Sequence, residues 1–256
     1  MRRAAFLVAL LALTGCGGGG DAEGILTHAA TSLQKVRSAT LDLRLVVTPL
    51  SGLKGRVGFA LHGPFELRAN ALPIANIVYT QYAGARQGAA RFVSNGTTAY
   101  ALSNGRRVDL PASALQQLRG SVAGLGGNGA ALRFETWLKD PHVSDGGKVG
   151  GAETDHVSGD LDPVNAANGL LGLLRGLGRA VPTVPASSAD QLRKAVKSSN
   201  IDVWVGKQDK LLRKLALKAQ IGFDVPASLK RALGNAVGAT VEFEFALANP
   251  NKATHS

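Results

Sequence analysis

From Thr40 onward, apolar residues recur at every second position. Leu41, Leu43, Leu45 and Val47 fall on one side, with Asp42 and Arg44 on the other. A period of two is the signature of a strand with one buried face. The pattern resumes after a turn at Pro49 to Lys54: Val57, Phe59 and Leu61 alternate again, with Arg56 and His62 interleaved. Gly63-Pro64 reads as another turn, followed by Phe65, Leu67, Ala69 and Ala71. Further strands are predicted at Ile74–Tyr82, Arg86–Ser94 and Thr97–Leu102, with hairpin turns at Asn95-Gly96 and Asn104-Gly105. Short strands in succession, joined by tight turns, predict an antiparallel meander with one apolar face.

Helical spacing brackets this run. Before it, Ile25, Ala29, Leu33 and Val36 predict a helix ending near Ser38. After it, Pro111 opens a helix over Ala112 to Leu125, and a second piece is expected from Ala130 to Leu138, carrying Phe134 and Trp137. Val143 to Leu161 reads as a hairpin turning at Gly150-Gly151. A helix follows from Pro163, with Val164, Ala167, Leu171 and Leu174 on one stripe and Leu170, Leu173 and Leu177 widening it. Gly169, Gly172, Gly176 and Gly178 interrupt it, each at a cost of about 1 kcal/mol in helix stability. A mobile lid and a loosely wound core helix both fit that pattern. Val181 to Pro185 is a proline-bounded linker, and Ser188 with Gln191 predicts a capping box for a helix through Val196. Strands at Ile201–Val205, Leu211–Phe223 and Ala239–Leu247 end the fold, with a helix at Ala227 to Val237 between the last two. Val241, Phe243, Phe245 and Leu247 are expected to point inward, as are Leu41, Leu43 and Leu45. The residues after Asn249 read as a disordered tail, 250–256. The order of elements is that of an α+β domain over residues 25–249: one large antiparallel sheet with its helices gathered on one side.

The N-terminus has a different character. Arg2-Arg3, an apolar run from Phe6 to Leu13, and small residues before a cut site make a secretory signal. The run is shorter than the roughly 20 residues of a membrane span. Leu13-Thr14-Gly15-Cys16 resembles the bacterial lipobox. That resemblance implies removal of residues 1–15, acylation of Cys16, and a location on the extracytoplasmic face of the cell membrane. Residues 16–24, with Gly17 to Gly20, form a flexible tether. Cys16 is the chain's one cysteine, so no disulfide is available and stability must come from burial.

The formal net charge is +11, and +9 once Arg2 and Arg3 leave with the signal. A basic surface on an exported, anchored chain suits anionic headgroups rather than nucleic acid, for which aromatics and dense Lys/Arg runs are lacking. The five histidines, His28, His62, His142, His156 and His255, show no metal-ligand spacing, and His142 and His156 read as surface turn residues. Gly124 to Gly129 matches the spacing GxGxxG, yet it neither follows a strand nor opens a βαβ unit, and reads as a loop. No nucleophile elbow and no isolated carboxylate pair is present. No cofactor is indicated and no enzymatic activity is expected.

Three stretches carry a broader resemblance: Lys35-Val36-Arg37-Ser38-Ala39; Trp137-Leu138-Lys139-Asp140-Pro141 with the hairpin Val149 to Gly159; and Asp202 to Lys214. With the lipobox, they resemble the LppX/LprG family of actinobacterial lipoproteins, similar in fold to the LolA/LolB carriers. The resemblance implies a half-open antiparallel β-barrel whose concave face, covered by helices, holds lipid acyl chains. Face parity and this resemblance nominate Leu43, Leu45, Phe59, Phe65, Trp137, Leu171, Leu174, Phe243 and Phe245 as lining residues. The expected partners are an acyl-chain lipid or glycolipid, the membrane through the anchor, and a membrane transporter. The alternative is an anchored interaction module that senses or braces a membrane-protein partner and holds no ligand.

Overall fold

The computed structural model describes residues 21–51, 55–69, 71–125, 132–176, 181–222 and 237–252. Cys16 with its signal and lipobox, most of the GxGxxG loop, Leu177, Gly178 and all but Val237 of the helix expected at Ala227 to Val237 lie outside these residues.

Eleven strands form one antiparallel sheet: β1 (Ser38–Pro49), β2 (Arg56–Glu66), β3 (Ile74–Gly84), β4 (Arg86–Asn95), β5 (Ala99–Ser103), β6 (Arg106–Asp109), β7 (Leu138–Val149), β8 (Ala152–Leu161), β9 (Val196–Gly206), β10 (Leu212–Gly222) and β11 (Gly238–Ala248). Their spatial order is β6-β5-β4-β3-β2-β1-β11-β10-β9-β8-β7. Every spatial neighbour is also a neighbour in sequence except at β1–β11, where the two ends of the sheet-forming chain meet in mid-sheet, while the consecutive strands β6 and β7 lie at opposite edges. The barrel is not closed, because β6 and β7 remain edges. Both edges carry features that discourage pairing: β6 is four residues long with Arg106 and Arg107, and β7 contains Pro141 beside a register shift.

Register fixes the faces. Leu45 pairs with Phe59 and Phe243, and Leu43 with Leu61 and Phe245. Phe243 and Phe245 in turn face Leu217 and Leu215. The inward assignment of Leu41, Leu43, Leu45, Phe243, Phe245 and Leu247 agrees with the packed clusters they join.

Helix α1 (Ala22–Leu33) is capped by Asp21, whose Oδ1 accepts from the Gly24 N–H at 2.8 Å. It buries Ala22, Leu26 and Ala29, so Leu26 rather than the expected Ile25 takes the central place. α2 (Ala112–Leu125) and α3 (Pro163–Gly176) follow prediction closely. α4 (Ala189–Ala195) is shorter than expected, and Ser188 makes no side-chain cap, so the predicted capping box is not formed.

Three further expectations are corrected. Gly63-Pro64 is not a turn: β2 runs through it, and a Cβ at Gly63, which sits at φ +145°, would overlap the Asn76 carbonyl oxygen of β3. The expected strand at Phe65 to Ala71 is not a separate one in its described part: Phe65 and Glu66 end β2, which pairs directly with β3, and β6 forms instead at the edge after the Asn104-Gly105 turn, where both residues have positive φ. The helix expected from Ala130 to Leu138 is, in its described part, a 3-10 turn at Phe134–Thr136 running into β7.

The chain end is docked as far as Lys252. The Asn251 side chain accepts from the Arg37 N–H at 2.6 Å and donates to the Lys35 carbonyl at 3.2 Å. Its own N–H donates to the Ser38 carbonyl at 2.7 Å.

Candidate functional site: an apolar cleft over strands 2 and 3

The concave face divides into two parts. Over β1 and β8–β11 it is filled by protein. Leu26 and Ala29 of α1, Phe134 and Trp137 of the 3-10 segment, and Ala166 of α3 cover Val157, Ile201, Val203, Leu215 and Phe243. Phe134, Trp137, Val157, Ile201, Val203, Val205, Leu212 and Leu215 are all fully buried. Trp137 meets Phe243 edge-on with ring centroids 6.1 Å apart. A Cβ on Gly169 of α3 would overlap the indole of Trp137, so that glycine lets the helix backbone lie directly on the ring. The first three turns of α3 are therefore core, with Leu170 and Leu173 also packed against it.

Asp162 starts that helix. Its Oδ1 accepts from the Val164 and Asn165 N–H groups, each at 3.0 Å, and its Oδ2 pairs with Lys139 Nζ at 3.2 Å. Burial works toward a higher pKa for this carboxyl. The Asn165 N–H, the Lys139 ammonium and the Val164 N–H outweigh it, and the pKa lies below its ordinary value. Pro163, at the first helical position, gives up no hydrogen bond there.

Over β2 and β3 the covering is incomplete. The last turn of α3 and the linker behind it leave a cleft of about 480 Å³, lined by Val57, Gly58, Phe59, Tyr79, Gln81, Tyr82, Leu174 and Val181. Phe59 and Tyr79 stack at 6.3 Å. The linker is tied along α3: the Arg175 guanidinium donates to the Val181 carbonyl at 3.1 Å, and the Asn168 side chain accepts from the Val184 N–H at 2.8 Å. Leu174 and Val181 are thus held over the Phe59–Tyr79 stack. Walls built mainly of Val57, Phe59, Leu174, Val181 and the tyrosine rings, with Gln81 and the tyrosine hydroxyls as polar groups, suit a hydrocarbon guest, and the volume falls in the range of small-molecule sites.

The nine nominated residues therefore separate. Phe59 and Leu174 line the cleft. Leu43, Trp137 and Phe243 are buried in the core, with Leu45 and Phe245 packed against it. Phe65 joins a second cluster with Val36, Ala39, Leu211 and Leu247. Leu171 is partly buried, in neither the packed core nor the cleft lining. Tyr79 and Val181 were not nominated. Tyr79 sits opposite Leu61 in the register, and inward parity on β3 would have indicated it.

The outer face carries a polar row. His156 is not a turn residue but sits within β8, with its side chain 24% exposed. Its Nε2 lies 2.8 Å from Asp202 Oδ1 and its Nδ1 lies 3.2 Å from Ser144 Oγ. Trp204 stacks on the ring at 4.8 Å. A serine-histidine-carboxylate chain needs oxyanion donors to do acyl chemistry. Here the three residues sit on β7, β8 and β9, and the backbone groups of β8 and β9 are engaged in ladders on both sides. The row reads as a cross-strand tie. Among the described residues, no three His, Cys, Asp or Glu side chains converge as a metal site. No described helix is long and apolar enough to cross a membrane.

No family model matches the chain, and no curated protein sequence does. Among solved structures, it is similar to LprF from Mycobacterium bovis, at 15% identity over 92% of this chain and 95% of that one, with a TM-score of 0.44. It is also similar to the Mycobacterium tuberculosis lipoprotein LppX, at 12% identity over 92% and 97% of the two chains, with a TM-score of 0.42. The likeness concerns the overall path of the chain and says nothing about a ligand.

Proposed function

We propose that this chain is a lipoprotein held on the extracytoplasmic face of a bacterial cell membrane through Cys16, and that it binds the acyl chain of a lipid or glycolipid and passes it on. The observation that supports binding is the cleft of about 480 Å³ between β2–β3 and the end of α3, walled by Val57, Phe59, Tyr79, Leu174 and Val181. An apolar cavity is poorly filled by water and well filled by hydrocarbon. The reading is of a carrier rather than an enzyme, with a membrane transporter as a candidate source or acceptor of cargo.

The test is extraction of the purified full chain with organic solvent, followed by mass spectrometry. Acyl lipid in near-stoichiometric yield is the expected result, and a chain that emerges empty from membranes rich in such lipids would sink the cleft reading. The anchor is checked separately. Cys16→Ala should abolish incorporation of a labelled fatty acid and the cut before residue 16; a labelled variant would overturn it.

A ligand-free module bracing a membrane-protein partner is favoured by a different observation, the tightly filled core over β1 and β8–β11. In that case the same extraction finds no lipid.

A further inference from the structure

The positive charge of this chain is gathered in one part of it. Between residues 51 and 134 there are nine Lys and Arg against two acids, Glu66 and Asp109, so this third of the sequence carries +7 of the total +11. In the other half of the sheet, cations other than Lys197 of β9 are mostly paired: Lys139 with Asp162, Lys148 with Glu153, Lys207 with Asp145, Lys210 with Asp155, and Lys214 with Glu244. In the β2–β6 wing, only Arg68 and Arg107 have acidic partners; Arg56, Arg86, Arg91 and Arg106 have none among the described residues.

Two of the unpaired arginines sit at one end of the sheet. Arg56 begins β2 and pairs in register with Gly84; Arg86 begins β4 and pairs with Ala83. By parity they bracket the rim. Arg86 shares the inner face with Val57, while Arg56 lies on the outer face with its guanidinium 4.0 Å over the Tyr82 ring. Among the described residues, three of the four large exposed apolar side chains lie at the same end: Leu50 at 43%, Val57 at 56% and Val237 at 55% exposure. The Leu50 N–H donates to the Gly238 carbonyl, which places the end of β1 beside the start of β11. Val57 also lines the cleft, so the cleft opens at this rim.

The chain also enters the fold at this end. The first two turns of α1, at Glu23, Leu26 and Thr27, border Leu138 to Pro141 at the start of β7. In an all-antiparallel sheet of this order, β7 starts at the end where β1 stops and β2 begins. Four glycines separate Asp21 from Cys16, so five Cα–Cα steps give a reach of about 17 Å.

We infer that this rim, formed by Leu50, Arg56, Val57, Arg86 and Val237, docks on the surface of an anionic phospholipid bilayer, with the cleft mouth turned toward the lipid. Exposed aliphatic side chains enter the interface and the arginines meet phosphates. The inference rests on the anchored lipid-carrier reading for its purpose, though docking itself can be measured without cargo.

The test uses the full chain reconstituted into vesicles. An acylated Cys16 leaves no free thiol, so Leu50→Cys provides one site for an environment-sensitive fluorophore, and Lys148→Cys provides one at the opposite end of the sheet. The unsubstituted chain controls for label at Cys16. On phosphatidylglycerol–phosphatidylcholine vesicles, the label at 50 should shift to the blue and the label at 148 should not. The shift should weaken with salt and on phosphatidylcholine alone. Arg56→Glu with Arg86→Glu should lower the docked-to-undocked ratio about 25-fold, at roughly fivefold for each arginine. Equal behaviour of the two labels, or a shift indifferent to phosphatidylglycerol, would overturn the inference. Lipid extraction from the double variant separates the two claims. Retained lipid with lost docking supports both. A chain that docks but yields no lipid sustains the rim and refutes the cleft.

Discussion

An alanine in place of a glycine normally favours a helix by about 1 kcal/mol. At Gly169 the balance reverses, because a Cβ would overlap Cζ2, Nε1 and Cε2 of Trp137, a side chain with no room to move. Gly169→Ala should destabilise the protein by about 1–3 kcal/mol. A melting temperature that rises instead would show that α3 does not rest on the indole. Asp162 makes a prediction in pH. Its native pKa is held below the ordinary 3.8. A depressed carboxylate contributes stability above its unfolded pKa and loses it as pH falls through the native one. Asp162→Ala should cost about 1 kcal/mol near neutral pH. The gap from the parent should close as pH drops below 3.8 toward the native value. Denaturant titrations across acid pH will show whether the two curves converge.

At the scale of elements, α3 does two jobs along its length. Its glycine-interrupted leucine pattern left lid and core equally open, and the structure gives the first three turns to the core and the last to the cleft wall. Ala166→Asp should therefore unfold the protein or lower its stability by several kcal/mol, since an unpaired carboxylate in the core is among the costliest single changes. Leu174→Asp should leave circular dichroism and melting nearly unchanged while emptying the cleft of lipid. If both variants unfold, Leu174 is core as well. The contrast shows what was legible in the sequence. Strands were, because alternation in β1, β10 and β11 follows directly from a two-residue period. The break at Gly63-Pro64 misled, because those residues usually mark turns, whereas Gly63 here admits a neighbouring carbonyl within a continuous strand. The candidate site was only half legible. Parity put Phe59, Trp137 and Phe243 on or near the inner face, but which part of that face the helices fill depends on the long-range seating of Trp137 under α3. No local pattern encodes that seating.

At the scale of the molecule, the sheet is joined by a single late strand. β11 pairs with β1 on one side and β10 on the other, so without it β6–β1 and β10–β7 are two separate sheets. The long inner row Leu41, Leu43, Leu45 against Leu247, Phe245, Phe243 is complete only when residue 248 has been made. Truncations from the C-terminus should therefore fall into three classes. Removing residues 253–256 should leave the melting temperature unchanged. Removing residues 250–256 deletes Asn251 and its three hydrogen bonds to Lys35, Arg37 and Ser38. Those exposed bonds amount to about 1–2 kcal/mol, or roughly 2–8 °C in a domain of this size. Removing residues 238–256 exposes Leu43 and Leu217, both almost fully buried, along two new sheet edges. That chain should aggregate rather than melt cooperatively, because two unprotected apolar edges pair with other copies faster than with each other. A soluble, cooperatively melting product from this last truncation would mean that the two halves fold independently and that β11 only tethers them.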